Sequence, residues 1–273
     1  MGGGGMLAVF PVAYAVLLPA TYPLIIAMLL GLVFRGVAFE FRARDPRHET
    51  LWDGAFAAGS LVAAMAQGMI LGTIVQGIEI RDNAYAGGIL DWLTPYALLT
   101  GLGVVAGYAL LGACWLIWRT DGSLQNRART RASALVFWVL GAMALVSLAT
   151  LFLEGDYWRR WLTFPGILLC APVPILTALA GFKLVTGIGR SADHVPFLMA
   201  LALFLLGFAG LGISLYPHIL PPSLTLHQAA APAASLRFLI VGAAVIVPMI
   251  LAYTGWAYWV FRGKTSAGAK GYH

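Results

Sequence analysis

Long uncharged apolar stretches alternate with short charged stretches along almost the whole chain. A helix needs roughly 20 apolar residues to cross about 30 Å of hydrocarbon, and a helix satisfies its own backbone hydrogen bonds there. Seven stretches meet this requirement, and tryptophans stand near the ends of several, where membrane interfaces favour them. The pattern predicts an all-α polytopic transmembrane helix bundle with seven full spans. They lie near residues 20–36, 53–77, 92–118, 132–153, 161–182, 195–217 and 238–261.

The first 34 residues carry no charge and are too long for one span. As a single helix they would reach about 51 Å at 1.5 Å per residue. Pro19 and Pro23 predict a break, because proline interrupts the backbone hydrogen bonds of a helix. We therefore interpret residues 1–18 as a partial helix, and we expect that the sequence starts too late, through a wrong start codon or as a fragment.

The composition excludes an ordinary soluble domain, since 60% of the residues are hydrophobic and 10% are charged. Soluble domains carry about 25% charged residues. The net charge of +6 is not gathered into a basic patch with exposed aromatics, so we predict no nucleic-acid binding. Cys114 and Cys170 lie in apolar stretches and are interpreted as small buried hydrophobic residues. The loops are short, which predicts one integral-membrane domain over residues 1–273.

Lysine and arginine are distributed unequally between alternate loops. One set of loops and the C-terminal tail hold 13 of the 17 basic residues, and the other set holds 4. Cytoplasmic loops of membrane proteins are enriched in Lys and Arg. We therefore predict a multi-pass protein of the bacterial inner membrane with a cytoplasmic C-terminus.

The five histidines lie outside the predicted spans. Haem iron in membrane proteins is held by axial His or Met from the bundle interior. His48, His194 and His273 fall on the cytoplasmic side, whereas His218 and His227 flank an outer loop. Methionines inside spans are usually packing residues. We predict that this chain binds no haem and no other metal; His218 as a haem ligand is the disfavoured alternative to a histidine that hydrogen-bonds loop backbone.

Apart from Arg35 and Asp53 at span ends, the predicted spans contain no Asp, Glu, Lys, Arg or His, whereas transporters and pumps usually keep such residues at their sites. Gln67 and Gln76 are the main polar side chains of span 53–77. We favour interhelical hydrogen bonds for both over a role in transport.

A charged cluster follows the first full span, where Glu40 stands among Arg35, Arg42 and Arg44. Opposite charges at such spacing are usually solvated ion pairs, and we favour that interpretation over proton entry. No phosphate-binding loop, catalytic triad or metal-binding spacing is present, so no catalytic residue is assigned to this chain.

Several motifs resemble one known family, subunit II of the cytochrome bd quinol oxidases, including its cyanide-insensitive branch. The most specific is GLVFRGVAFEFR, which ends at Arg42. It is followed in order by WDGAF, QGMILGTIVQG, RTRA, SLYPHILPPSLTLHQAAAP and PMILAYTGWAYWVFRGK, so the resemblance covers nearly the whole chain. The signature residues that we single out are Arg35, Glu40, Arg42, Trp52, Asp53, Gln67, Gln76, Gly77, Pro221 and Pro222.

The resemblance implies a haem-free subunit of nine helices with its C-terminus in the cytoplasm. Its partner would be a larger subunit I that carries haems b and d and the quinol site. The complex would oxidise quinol, reduce dioxygen to water and take protons from the cytoplasm, so that it generates a proton motive force. Subunit II would support this partner and supply part of the proton route. Whether a small third subunit joins, and whether membrane lipid or quinone fills the interior of subunit II, stays open.

Two departures from the family pattern affect these expectations. The first helix and half of the second are absent, together with the acidic positions that similar proteins use for proton delivery. His227 and Gln228 stand where the family usually has Trp and an acidic residue.

The alternative function is a stand-alone small-molecule permease, which would need intramembrane charges or paired broken helices. Neither is evident in the sequence.

Overall fold

The computed structural model describes residues 2–153, 157–164, 166–189, 192–260 and 263. Seven of its helical segments are long and apolar enough to cross a membrane, which confirms the predicted all-α transmembrane bundle. The helices are α1 Gly2–Val9, α2 Pro11–Arg44, α3 Glu49–Gln76, α4 Pro95–Arg119, α5 Gly122–Thr150, α6 Tyr157–Leu162, α7 Gly166–Cys170, α8 Pro172–Ile188, α9 Val195–Leu215, α10 Leu226–Ala229 and α11 Ala233–Val260. Two short antiparallel hairpins that the sequence did not predict are β1 Ile80–Arg81 with β2 Ala84–Tyr85, and β3 His218–Leu220 with β4 Leu224–Thr225.

Helix α2 does not break at Pro19 or Pro23 as the sequence predicted. It continues through both prolines, and the interruption lies at Phe10, so the predicted partial helix over residues 1–18 is divided between α1 and α2. Membrane helices tolerate proline where packing and Ser or Thr side chains compensate for the lost backbone bond. The Thr21 hydroxyl, between the two prolines, donates to a backbone carbonyl one turn earlier at 2.7 Å, and this part of α2 has a buried face.

The predicted span over residues 161–182 also differs from the observed helices. Trp161 belongs to the separate helix α6, and the membrane-length segment runs over Gly166–Ile188. Pro172 occupies the first turn of α8, where its missing N–H costs nothing, so the helix restarts there. The other spans agree with the prediction to within ten residues at each end. Residue 261, the predicted end of the last span, and His273 lie outside the described residues.

Glycines bring consecutive helices into close contact. Gly31 of α2 faces Gly59 of α3, and a Cβ on Gly31 would lie 2.7 Å from the Gly59 carbonyl oxygen. On the next seam, a Cβ on Gly68 of α3 would lie 2.6 Å from the Cα of Gly101 in α4. Small residues allow membrane helices to approach until their backbones touch, and van der Waals packing then holds them together.

The buried side chains form two main clusters. One lies between α4, α5, α8 and α9 and includes Leu110, Cys114, Val136, Leu184 and Leu203. The other joins the start of α2 to the loops that follow α3 and α9 and is built from Ala13, Val16, Leu17, Ala20, Ile78, Leu220, Leu224 and Ala229. Both cysteines are buried, as predicted. Helix α11 has no buried residue; it contacts α1, and its Tyr258 ring meets Trp115 edge-on at 5.8 Å.

Candidate functional site

The turn between α2 and α3 gathers several signature residues. Arg42 Nε donates to Asp53 Oδ1 at 2.6 Å, and its guanidinium also pairs with Glu49. Glu40 pairs instead with Arg44 at 2.6 Å, four residues along the same helix. Each of these side chains is about half exposed or more, so the turn is a solvated ion-pair cluster that ties the end of α2 to the start of α3.

Trp52 and Asp45 complete this turn. The Trp52 ring packs against Phe41 with a centroid distance of 5.2 Å. His48 Nδ1 lies 2.8 Å from Asp45 Oδ2, and this hydrogen bond is the main cause of the lowered pKa of Asp45. A weak hydrogen bond from the Trp52 indole N–H also lowers this pKa, but its geometry is poor, so the buried Nε1 has no well-formed hydrogen-bond partner. The turn thus contains one polar atom that the described residues leave unsatisfied.

Arg35 does not join the ion pairs at the turn. Its guanidinium lies over the Phe56 ring of α3, 5.2 Å from the ring centroid. A cation over an aromatic face is attracted to it by about 0.5–1 kcal/mol at an exposed site. Arg35 therefore packs on α3 at Phe56. This contact lies about one helical turn beyond Asp53, toward the apolar part of α3.

Gln67 and Gln76 both make interhelical hydrogen bonds, as the sequence predicted. The Tyr108 hydroxyl of α4 donates to Gln67 Oε1 at 2.9 Å. The Tyr108 ring stacks on Phe204 of α9, with a centroid distance of 5.7 Å and an interplanar angle of 9°. Gln76 Oε1 accepts from the Thr94 hydroxyl, which also caps the N-terminus of α4.

The remaining signature residues meet at the opposite end of α3. Gly77 ends α3 with φ of 95°, and a Cβ placed there would lie 2.6 Å from the Pro221 carbonyl oxygen and 3.4 Å from Pro222. The Tyr157 hydroxyl donates to the Val75 carbonyl at 2.7 Å. A tight junction between the end of α3 and the loop before β4 therefore requires glycine at position 77.

Most of the signature residues fall into two groups rather than one site, and Gln67 lies between these groups on α3. The group around Arg42 and Asp53 and the group around Gly77 and Pro221 stand at opposite ends of α3, about 36 Å apart at 1.5 Å per residue. Both groups make contacts that hold together separate elements of the chain.

A third polar cluster was missed by the sequence analysis. Arg129 of α5 pairs with Asp193, just before α9, at 2.5 Å, and it also donates to the Ile188 carbonyl at the end of α8. Gln125 Nε2 donates to Asp193 Oδ2 at 3.1 Å and to the Ile117 carbonyl at 2.9 Å. The pair is largely buried, with side-chain exposures of 22% and 17%, and it joins four helix ends. No local sequence signal could have found it, because the two charges are 64 residues apart.

The described histidines lie at helix ends and in loops. His48 follows α2, His194 directly precedes α9, His218 belongs to β3 and His227 to α10, so none of these four histidines projects from the middle of a span. In the part of the chain that the structure describes, no group of three or more His, Cys, Asp or Glu could hold a metal ion. We derive no redox step through this chain.

The sequence as a whole identifies the family. The family model described as cytochrome bd terminal oxidase subunit II matches residues 1–261. The chain belongs to the cytochrome bd subunit II family. As a member it is a component of an oxidoreductase complex, and the permease alternative is not supported.

Characterised relatives of this cytochrome bd subunit cover nearly the whole chain. Cytochrome bd ubiquinol oxidase subunit 2 of Bacillus subtilis (strain 168) is 28% identical in an alignment 274 positions long, which covers 97% of this chain and 79% of the relative. Cytochrome bd-I ubiquinol oxidase subunit 2 of Escherichia coli (strain K12) is 26% identical in an alignment 300 positions long, which covers 96% of this chain and 79% of the relative.

The fold is also similar to a solved cytochrome bd structure. A chain of the bd oxidase from Geobacillus thermodenitrificans superposes with a TM-score of 0.69 over 87% of this chain and 72% of that chain. The sequence identity is 16%, so this similarity bears on the fold alone.

Proposed function

We propose that this chain is the haem-free subunit II of a membrane-bound quinol:dioxygen oxidoreductase. The observation that carries the proposal is the family match over residues 1–261, together with relatives that are subunits of ubiquinol oxidases. In the complex, quinol is oxidised and dioxygen is reduced to water, and the reaction generates a proton motive force. The chain supports subunit I and supplies part of the proton route.

The haems b and d belong to subunit I in this proposal. Axial haem ligands must project from the interior of a bundle, and the described histidines of this chain stand at helix ends and in loops. The Arg42–Asp53, Gln67–Tyr108 and Arg129–Asp193 contacts join helices to one another. This chain would therefore provide a rigid partner surface, while electron transfer takes place in subunit I.

The proposed orientation places the α2–α3 turn, the α4–α5 turn and the C-terminus in the cytoplasm. This side carries 13 of the 17 Lys and Arg residues. The hairpins β1–β2 and β3–β4 then lie on the outer face of the bacterial inner membrane. If the seven membrane-length helices cross the membrane in alternating directions, all of the basic loops fall on the same side.

Affinity purification of this chain in mild detergent tests the proposal. A tag on this chain should retain a larger haem-bearing subunit, and the complex should consume oxygen when quinol is added. Reduced-minus-oxidised spectra of the retained complex should contain haems b and d. Purification of a colourless monomer that transports a solute in liposomes would overturn the assignment.

A further inference from the structure

Two arginines of α5 lie on one exposed face of that helix. Arg127 and Arg131 stand four residues apart, and Ala134 and Trp138 follow three and seven residues after Arg131. This spacing places all four on the same side of an α-helix, and each of them is exposed. This face of α5 therefore looks away from the rest of the bundle. The buried residues of α5 lie on another side of the helix, and they are Ala128, Ala132, Val136 and Val139.

Arg127 and Arg131 have no acidic partner among the residues that the structure describes. In contrast, Arg42, Arg44 and Arg129 each form an ion pair. Two like charges that are four residues apart on a helix repel each other. An anion bound between the two guanidinium groups would remove this repulsion, so the face favours an anionic ligand.

The position of the two arginines along α5 indicates which anion they meet. The 29 residues of α5 extend over about 44 Å, whereas the hydrocarbon of a membrane is about 30 Å thick. The uncharged part of α5 begins directly after Arg131, and Arg127 lies about 6 Å before Arg131 along the axis. The headgroup layer on each side of the hydrocarbon is roughly 5–7 Å thick. Both guanidinium groups therefore lie at the level of the phospholipid phosphates, to which a guanidinium can donate two parallel hydrogen bonds.

Exposed aromatic rings continue this part of α5 toward the centre of the membrane. Trp138 is 73% exposed, and the neighbouring Phe137 is 64% exposed. Helical side chains lean toward the N-terminus of their helix, and on α5 that is the direction of Arg131. Tryptophan is favoured where one edge of its ring meets headgroups and the other meets acyl chains. Trp138 thus offers an indole N–H to a lipid ester and an apolar ring surface to an acyl chain.

A phospholipid matches this order of groups. Cations at headgroup level, followed by apolar rings at greater depth, correspond to a headgroup followed by its acyl chains. Acidic residues of this chain are poor competitors for the arginines, because most of those that the structure describes are already in ion pairs. The paired acidic residues are Glu40, Asp45, Glu49, Asp53, Glu79 and Asp193.

The charge of the face selects among phospholipids. A zwitterionic lipid carries an ammonium group that the two arginines repel, whereas an anionic lipid carries a net negative charge. Basic residues next to a membrane span attract anionic headgroups for this reason.

We propose that Arg127, Arg131 and Trp138 form a binding site for one anionic phospholipid on the exposed face of α5. The two guanidinium groups hold the phosphate, and the Trp138 ring packs on the first methylenes of an acyl chain. The proposal requires only that α5 spans a membrane, so its outcome is independent of quinol oxidation.

Photo-crosslinking identifies the molecule that covers this face. The full chain, with the subunits that it retains, is reconstituted into nanodiscs of equal parts dioleoylphosphatidylglycerol and dioleoylphosphatidylcholine. A benzoylphenylalanine in place of Ala134 should capture phosphatidylglycerol in at least about fivefold excess, since one arginine near anionic headgroups contributes about that factor. The control position is Leu145, which lies about 16 Å further along α5, is 57% exposed and should capture both lipids equally. Equal capture of the two lipids at position 134, or capture of protein there, would overturn the proposal.

Replacement of the arginines tests whether they cause the selection. Arg127→Gln combined with Arg131→Gln should bring the lipid ratio captured at position 134 close to one, because uncharged amides do not prefer an anionic headgroup. Each single change should give an intermediate ratio. The matched control is Arg159→Gln, at an exposed arginine beyond the opposite end of α5, which should leave the ratio unchanged. An excess of phosphatidylglycerol that persists in the double variant would show that these arginines do not bind the lipid.

Discussion

Gly31 and Gly59 meet across the α2–α3 seam so closely that neither position has room for a methyl group. A Cβ on Gly31 would approach the Gly59 carbonyl oxygen to 2.7 Å and the Ala63 nitrogen to 3.3 Å. Backbone atoms cannot move aside as a flexible side chain can. The contact therefore fixes the distance between the helix that carries Arg35 and Arg42 and the helix that carries Asp53 and Gln67.

Alanine at position 31 should separate the two helices. We expect Gly31→Ala to lower the free energy of unfolding by about 1–3 kcal/mol, as overpacking usually does. The control is Gly36→Ala, five residues along the same helix, where a Cβ meets nothing within 4 Å. This control should be neutral or stabilising by up to about 1 kcal/mol, because alanine favours helix over glycine. Thermal unfolding of both variants in detergent, followed by tryptophan fluorescence, checks the difference.

Gly77 gives a second test with a different control. Gly77→Ala should destabilise the loop that contains Pro221, because alanine at position 77 must adopt φ of 95° and would clash with the Pro221 carbonyl. Gly122 also has a positive φ, of 69°, but open space surrounds its Cβ position. Gly122→Ala therefore measures backbone strain alone, at about 1–2 kcal/mol. Faster proteolysis of the 216–232 loop in Gly77→Ala than in Gly122→Ala is the expected result, and equal rates would refute the close contact.

Some of these contacts could be predicted from the sequence and others could not. Amides in an apolar helix need partners, so interhelical bonds from Gln67 and Gln76 followed from residue type. Their partners Tyr108 and Thr94 did not, because a sequence does not tell which faces of two helices meet. At Pro19 and Pro23 a local rule failed, since burial of that part of α2 outweighs the missing backbone bonds. Packing between separate helices decides which residues become partners and whether a helix continues through proline. Such packing leaves no periodic pattern in the sequence.

The Tyr85 phenol should lose its proton at a higher pH than an ordinary tyrosine does. Its pKa is raised to about 12, first by desolvation and then by its hydrogen bond to Asp91. A raised folded-state pKa means that the stabilising contribution is complete below the usual value near 10 and is lost as the pH rises through about 12. Between these values the wild type should lose stability more steeply than Tyr85→Phe. The tyrosinate absorbance difference between the two proteins, measured against pH, should show a midpoint near 12 rather than near 10.

Replacing the two histidines between α9 and α11 tests where the haems are held. His218→Ala with His227→Ala should leave the haem absorbance of the purified complex unchanged, because both residues lie in the segment between α9 and α11. Gel quantification of both subunits provides the control for assembly. Loss of one haem per complex at normal subunit abundance would mean that this chain contributes an axial ligand.

The Arg129–Asp193 pair should contribute more to stability than any exposed pair of this chain. Its side chains are 22% and 17% exposed, and Gln125 and the Ile188 carbonyl satisfy further hydrogen-bonding positions. Removal of one partner leaves a largely buried charge uncompensated, so Asp193→Asn should destabilise the bundle by about 2–4 kcal/mol, somewhat less than for a fully buried pair.

A double-mutant cycle separates the pair from its surroundings. Arg129→Gln combined with Asp193→Asn should be less destabilising than the sum of the two single changes, since the double variant leaves no isolated charge. The matched control is the cycle of Arg44→Gln and Glu40→Gln, whose side chains are 74% and 59% exposed and whose coupling should be below about 1 kcal/mol. The coupling energies of both cycles are measured by thermal unfolding and chemical denaturation in the same detergent. Because the pair joins the start of α5 and the end of α8 to the start of α9, the single variants should also make the end of α8 more accessible to proteolysis. Equal coupling energies in the two cycles would show that burial adds nothing to this ion pair.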